Sequence, residues 1–371
     1  MTAKFDQNKV NIIALDGCRA DYFLEPVKDQ NIDYIYKSLH HNKLWEKGDK
    51  ATIDQETYFK INAWLKEKNI EKTVTPGGSA ANTLTSVLRA LKGTAKSAEV
   101  TFICTIGDRT NGEFIRGKLG EYDGVNIVPV LGADEQAKVI TPVSYIFIDV
   151  EDGIAEKFIA KNSGYGNKEL ITAKHVKEIF AAKKFDIAYL YGLTKFDIEV
   201  VKAFKTEALK QKAKIFFPLP SELPNNEIRE FALDIIDNHA DLIFGNMDEL
   251  CNLFSLDRKL EADRKKAVKM LEKKLQKRKC CAFITNSTNG SIAITPDGLA
   301  TRPVWEKLLE IKDPTGAGDA FNAGVITALL LGGTTEEAQS LGALNANRTL
   351  QQLGAQLPGN VPVVLRKQIL G

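Results

Sequence analysis

The chain has 371 residues, of which 44% are hydrophobic and 26% charged, and this excludes a largely disordered chain. The formal net charge of +2 sets up no field that would draw the chain to nucleic acid or to an acidic membrane. Five scattered cysteines form no C-x-x-C pair, four histidines form no H-E-x-x-H, and no run of about 18 apolar residues occurs, so a disulfide framework, a dedicated zinc site and a transmembrane helix are not expected. The opening MTAKFDQNKV lacks the apolar core of a signal peptide, and the expected location is cytoplasmic.

In chain order, short apolar β-branched runs alternate with helical periodicity. Strands are predicted at 10–15, 100–106, 186–191, 215–219, 241–245 and 282–285, several of them apolar throughout, as strands buried on both faces are. Helices are predicted at 171–182, 197–212, 261–277, 317–331 and 335–353. This rhythm implies a mostly parallel sheet with helices on both faces. Two stretches, about 17–50 and about 136–162, break it with extended segments and turns. In the second, apolar runs flank Glu151-Asp152-Gly153, a hairpin signal. Paired, the two segments would form a small sheet that closes over a ligand as a lid; a surface hairpin without a role is the alternative. No repeat or linker divides the chain, so residues 1–371 read as one domain carrying these two insertions.

The run Asp313-Pro-Thr-Gly-Ala-Gly-Asp-Ala-Phe-Asn-Ala-Gly324 opens the apolar helix at 317–331. Small residues Gly316, Ala317 and Gly318 let backbone N–H groups at a helix N-terminus approach an anion. Asp319, in the first turn, is placed to take a proton from an attacking hydroxyl beside that anion. Otherwise Asp319 only complements the helix dipole and the glycines only make a tight turn. The string resembles, over its whole length, the D-T/P-x-G-A-G-D-x-F signature of the ribokinase-like (PfkB) family of carbohydrate and nucleoside kinases.

Other segments carry the same resemblance. Pro76-Gly-Gly-Ser-Ala-Ala-Asn-Thr83 is similar to that family's G-G-x-x-x-N, implying that Gly77 and Gly78 approach the acceptor and that Asn82 bonds its hydroxyls; a turn followed by a Ser cap is the plainer reading. Asp16-Gly-Cys-Arg-Ala-Asp21 follows the first strand, and Asp21 sits where the family grips two substrate hydroxyls, although Asp16 stands where the family usually has Gly. Gly107-Asp-Arg-Thr-Asn-Gly112 resembles G-x-D-x-x-G loosely. Asn246-Met-Asp-Glu249 looks like N-x-x-E near magnesium and phosphates, but an N-cap with a capping-box Glu has the same sequence. Thr285-Asn-Ser-Thr-Asn-Gly290 keeps Thr285 and Gly290 of a T-x-G-x-x-G nucleotide loop, with Ser287 in place of the middle Gly. The stretch 343–356 looks like the family's last helix beside the adenine, with Asn347 as a candidate contact.

Two further patterns point elsewhere and are set aside. Gly112-Glu-Phe-Ile-Arg-Gly-Lys-Leu119 resembles a Walker loop but lacks its Ser or Thr and reads as helix. The basic stretch 265–279 carries Ala267, Val268, Leu271 and Leu275 at helical spacing and reads as a solvated helix face.

The resemblance implies a three-layer α/β/α fold with a mostly parallel central sheet and a small β lid. It implies an ATP-dependent phosphotransferase with Asp319 as base, and ATP and Mg²⁺ as co-substrate and cofactor, with Glu249 and Asn246 meeting the metal through water and room left for a monovalent cation. The partners expected are a small nucleoside or sugar and ATP, in a monomer or homodimer, with no nucleic acid and no membrane. The long interval from Asp21 to Gly77 and the G-G-S-A-A-N motif resemble the adenosine-kinase branch, which ranks adenosine first, another nucleoside next, and hexose or ribose after these. A catalytically silent nucleotide-binding regulator on the same fold is the reading from another class. A dinucleotide oxidoreductase would need a G-x-G-x-x-G turn after the first strand, and none is there.

Overall fold

In the computed structural model the described residues are 8–16, 18–24, 50–107, 110–128, 133–151, 154–278, 280–306 and 311–355. Among them the chain forms two sheets. The larger comprises β1 (Lys9–Leu15), β5 (Ser97–Ile103), β6 (Val125–Ile127), β9 (Ile187–Leu190), β10 (Lys214–Pro218), β11 (Ala240–Asn246), β12 (Cys281–Thr285), β13 (Ser291–Thr295) and β14 (Gly298–Arg302). The smaller comprises β2 (Arg19–Leu24), β3 (Lys50–Ile53), β4 (Lys72–Gly77), β7 (Val143–Glu151) and β8 (Ile154–Asn162).

The large sheet runs in the order β14-β13-β12-β11-β10-β9-β1-β5-β6, parallel except for β13 and β14. All six strands expected from apolar runs lie in it. Their alternate residues feed two cores. Ile12, Ala14, Phe102, Tyr189, Phe216 and Phe244 face the helices Ser79–Leu91, Ala317–Leu330 and Thr335–Thr349. Ile13, Leu15, Ala188, Leu190, Phe217 and Ile243 face Ala173–Ala182, Ile198–Lys210, Asn226–Asp234, Met247–Leu253 and Glu261–Leu275. Helices thus cover both faces, giving three layers. The five predicted helices are present, and helix starts such as Thr172 and Thr334 are fixed by capping boxes. The Walker-like run lies in the helix Thr110–Gly120, and the basic stretch forms a helix whose Ala267, Val268, Leu271 and Leu275 are buried.

The chain leaves β1 toward β5 on one side and β9 on the other. In open α/β sheets such a switch point, at the carboxyl ends of the strands, is where ligands bind. The small sheet, ordered β3-β8-β7-β2-β4, joins segments remote in sequence: β2 pairs parallel with β7, and β7 antiparallel with β8. One face, with Ala20, Tyr22, Leu24, Tyr145 and Phe147, is buried in the first core with Ile61, Trp64 and Leu65 of the helix Gln55–Glu67. The other face carries Arg19, Asp21, Ser144, Ile146, Ile159 and Lys161 to a cavity between the sheets. Of the expected insertions, residues 17 and 25–49 and the turn pair Asp152-Gly153 lie outside the described residues.

Candidate functional site

A cavity of about 520 Å³ lies over the carboxyl ends of β9, β10, β11 and β12. At its floor is the N-terminus of the helix Ala317–Leu330. Gly316 is the N-cap with φ 79°, a left-handed conformation that favours glycine, and a Cβ there would overlap Ala355. Gly316 has no side chain with which to cap this end, and Gly316 and Gly318 line the cavity. Asp313 builds the turn: fully buried, it accepts the Thr315 N–H at 2.7 Å and the Gly354 N–H at 2.9 Å.

Gly316, Gly318 and Asp319 line the cavity; Ala317, between them, does not. Asn82 Nδ2 donates to Asp319 Oδ2 at 3.0 Å, and Thr83 Oγ1 donates to the Asp319 carbonyl at 3.3 Å. The two glycine-motif helices are therefore tied together at Asp319, and Asn82 meets that carboxylate as well as the cavity.

Asp21, on β2, also lines the cavity and is 5% exposed. Gly77 on the neighbouring β4 lies beneath it, and a Cβ there would collide with the Asp21 carboxylate. Gly77 does not line the cavity; its lack of a side chain makes room for Asp21. Gly78 does line it, with φ 109°, as the N-cap of the helix Ser79–Leu91.

On the β11–β12 side Asn246, Glu249 and Thr285 line the cavity. Asn246 and Glu249 form a capping box: Asn246 N–H donates to Glu249 Oε2 at 3.0 Å and Glu249 N–H to Asn246 Oδ1 at 2.8 Å. Gly290 and Asn347 do not line the cavity. Gly290 closes the loop before β13, and the Asn347 amide donates to the Glu306 carbonyl at 2.8 Å. Ser287, in the place of the motif's glycine, takes φ 50°, the left-handed conformation a glycine would adopt freely. Gly107 and Gly112 pack against each other and Thr141, away from the cavity, while Asp108 and Arg109 lie outside the described residues.

Sequence reasoning missed Arg19, Tyr191 and Lys195, all of which line the cavity. Arg19 donates to Ser144 Oγ at 3.3 Å, and its buried Nε has no hydrogen-bond partner among the described residues. Lys195 pairs with Asp16. A lone Lys just beyond a buried parallel strand was the one available signal. Burial pushes the Lys195 ammonium below its ordinary value against the pull of Asp16. For Asp16, burial raises the carboxyl, but Lys195, Arg19 and the Ala80 N–H together outweigh that and hold it below 3.8.

Layered helices on a mostly parallel sheet, with a small sheet facing a glycine-rich helix end, define the class as a ribokinase-like kinase. The chain matches the model of the pfkB family of carbohydrate kinases over residues 51–361. It belongs to that family, whose members transfer a phosphoryl group from ATP to a hydroxyl of a small molecule. A nucleoside kinase of Methanocaldococcus jannaschii is 27% identical over 289 residues, covering 76% of this chain and 80% of that protein. The fold is shared with an adenosine kinase from Sinorhizobium meliloti (TM-score 0.73, 20% identity, 97% of this chain and 99% of that one). It is shared also with a ribokinase from Thermotoga maritima (TM-score 0.62, 20% identity, 97% and 99%).

Proposed function

We propose that the chain transfers the γ-phosphoryl of ATP to a hydroxymethyl group of a nucleoside, with adenosine ranked first and other nucleosides next. The observation that carries this is that Asp21 and Asp319 both line one cavity, with Asp319 in the first turn of a helix whose N-cap is a glycine and held by Asn82. Asp21 grips acceptor hydroxyls, with Gly78 backbone and Asn82 alongside. Asp319 takes the hydroxyl proton as that oxygen attacks. The N–H groups of Gly316, Ala317 and Gly318 receive the charge developing on the transferring group. Asn246 and Thr285 face the donor nucleotide, whereas Gly290 and Asn347 shape its surroundings. The small sheet acts as a lid over the acceptor, through β2, β7 and β8.

Among the described residues no group of three or more His, Cys, Asp or Glu is arranged to hold a metal directly. Glu249, its carboxylate already engaged in the capping box, fits Mg²⁺ carried on ATP phosphates and reached through water. When bound, the ion would neutralise charge on the β- and γ-phosphate oxygens.

Ile146 and Ile159 of the small sheet line the cavity and pack with Phe23, an apolar surface suited to a base. A second reading, a hexose or ribose acceptor, is favoured by the rest of the lining, where Tyr191 is the one aromatic ring among the described residues and Arg19, Lys161, Lys168 and Lys195 contribute cations. All five thiols are free, which suits a reducing compartment such as the cytoplasm. A panel of nucleosides, hexoses and ribose with ATP and Mg²⁺, scored for ADP release, tests the reading. Turnover of a sugar far above every nucleoside would overturn the nucleoside assignment, and no ADP release with any acceptor would favour the silent regulator.

A further inference from the structure

Asp16 stands where the family resembled in sequence usually has glycine, and the transfer step outlined above makes no use of it. It directly follows β1 and is fully buried. Oδ2 accepts the N–H of Ala80 at 2.8 Å and of Ala81 at 3.4 Å, and Oδ1 accepts from the Lys195 ammonium. A carboxylate sealed from water persists only where its partners offset the desolvation, so a glycine would be the less costly residue if only a turn were needed.

Its partners lead to the reaction centre by two routes. The helix Ser79–Leu91 starts at Gly78, which has no side chain to cap it, and Asp16 supplies that cap from 64 residues upstream. From the same first turn Asn82 reaches Asp319 at 3.0 Å. By the second route, Asp16 fixes Lys195 at the cavity wall. The Lys195 side chain is 20% exposed, and its Nζ lies 4.4 Å from the centroid of the Tyr191 ring. Lys195, Tyr191, Gly316, Gly318 and Asp319 line the same cavity. The charge of Asp319 acts on both Lys195 and Tyr191, and Tyr191 also feels Glu249.

We propose that Lys195 is a further catalytic residue, a cation that meets the negative charge of the transferring phosphoryl group. Asp16 is its positioning residue, fixing the ammonium and the helix that carries Asn82 together. This rests on the kinase reading above. In the step, the acceptor oxygen forms a bond to the γ-phosphorus and the bond from that phosphorus to the β,γ-bridging oxygen breaks. ADP leaves, the hydroxyl proton passes to Asp319, and Lys195 keeps its protons throughout. A compact ammonium held at one point suits a charge that moves along the line of transfer.

The test compares Lys195→Met, Lys195→Arg, Asp16→Asn and the double variant Asp16→Asn/Lys195→Met. The readouts are kcat, both KM values, melting temperature, and binding of ADP with aluminium fluoride, a mimic of the transferring group. Lys195→Met is expected to lower kcat by about 10²–10³-fold, as loss of a charge-stabilising donor does, with both KM values within about fivefold. Binding of ADP with aluminium fluoride weakens while binding of ADP alone does not, and Lys195→Arg recovers part of the rate. Asp16→Asn keeps an oxygen for the Ala80 N–H but leaves the Lys195 ammonium without its carboxylate, so it melts below wild type while staying folded, and loses about tenfold or more in kcat. Because Asp16 acts through Lys195, the double variant is no slower than Lys195→Met. Removing both charges also leaves no unpaired buried carboxylate, so the double variant can be measured if Lys195→Met fails to fold. Turnover within about threefold of wild type in either Lys195→Met or the double variant, or losses that multiply in the double variant, overturns the proposal. A wild-type protein that turns over no acceptor defeats the functional reading instead, and the aluminium fluoride measurement still decides the role of Lys195.

Discussion

Replacing Asp319 by Asn separates catalysis from structure at the centre of the site. Asn has the same shape and can still accept from Asn82 Nδ2, which lies 3.0 Å from Oδ2 in the native protein. What it loses is the charge and the capacity to take a proton. On the structural side, the favourable interaction of a carboxylate with the helix N-terminus is worth about 0.3–1 kcal/mol. Turning a charge-assisted hydrogen bond into a neutral one costs roughly another 1 kcal/mol. A loss of about 1–2 kcal/mol moves the melting temperature by only a few degrees in a chain of this size. On the chemical side, removing a general base costs about 10²–10⁴-fold in rate. At about 1.36 kcal/mol per decade that is roughly 3–5 kcal/mol of transition-state stabilisation, clearly more than the structural loss. The assay is one preparation of Asp319→Asn, with melting followed by circular dichroism, ATP and acceptor affinities by calorimetry, and kcat at saturation. A small melting shift, near-native affinities and a collapsed kcat are expected. Turnover within about threefold of wild type would refute the reasoning, because it would leave Asp319 only the helix-dipole role.

If Asp21 grips two acceptor hydroxyls as proposed, with bonds worth about 1.5–3 kcal/mol each, Asp21→Ala should weaken acceptor binding by at least about tenfold while ATP affinity holds; calorimetric titrations showing equal losses would remove Asp21 from the acceptor site. Ser287 takes φ 50°, so Ser287→Gly should hold or raise the melting temperature, whereas β-branched Ser287→Val should cost about 1–2 kcal/mol in chemical denaturation. The Asp16 carboxyl lies below its ordinary 3.8 in the folded protein, so the stability tied to this shift is fully present above pH 3.8 and is lost as pH falls through the lower folded value. The melting temperature of the wild type relative to Asp16→Asn should therefore be level near neutrality and fall in acid, and a difference that rises in acid would contradict the assigned direction.

What could be read from the chain alone was whatever is encoded locally. The central strands announced themselves because a strand covered on both faces must be apolar throughout, as Ile12–Leu15 and Ile243–Phe244 are. The helix end at Gly316–Asp319 was legible because conformation, small size and charge sit within a few consecutive residues. Local encoding also left ambiguities. Asn246 and Glu249 form the capping box that their spacing equally allowed, and they line the cavity as well. β4 was missed because Pro76 reads as a turn, yet Pro is tolerated on the edge strand of the small sheet. Gly77 was expected to approach a ligand, and only the pairing of β2 with β4 shows that it makes room for Asp21. Asn347 has the chemistry of a ligand contact, and only the packed structure shows its amide donating to the Glu306 carbonyl. Tertiary structure alone joined Asn82 to Asp319, 237 residues apart, and Lys195 to Asp16, 179 residues apart. The physical reason is that periodicity and capping report neighbours along the chain. A buried charge finds its partner only when separate elements pack, and that pairing leaves no periodic trace in the sequence.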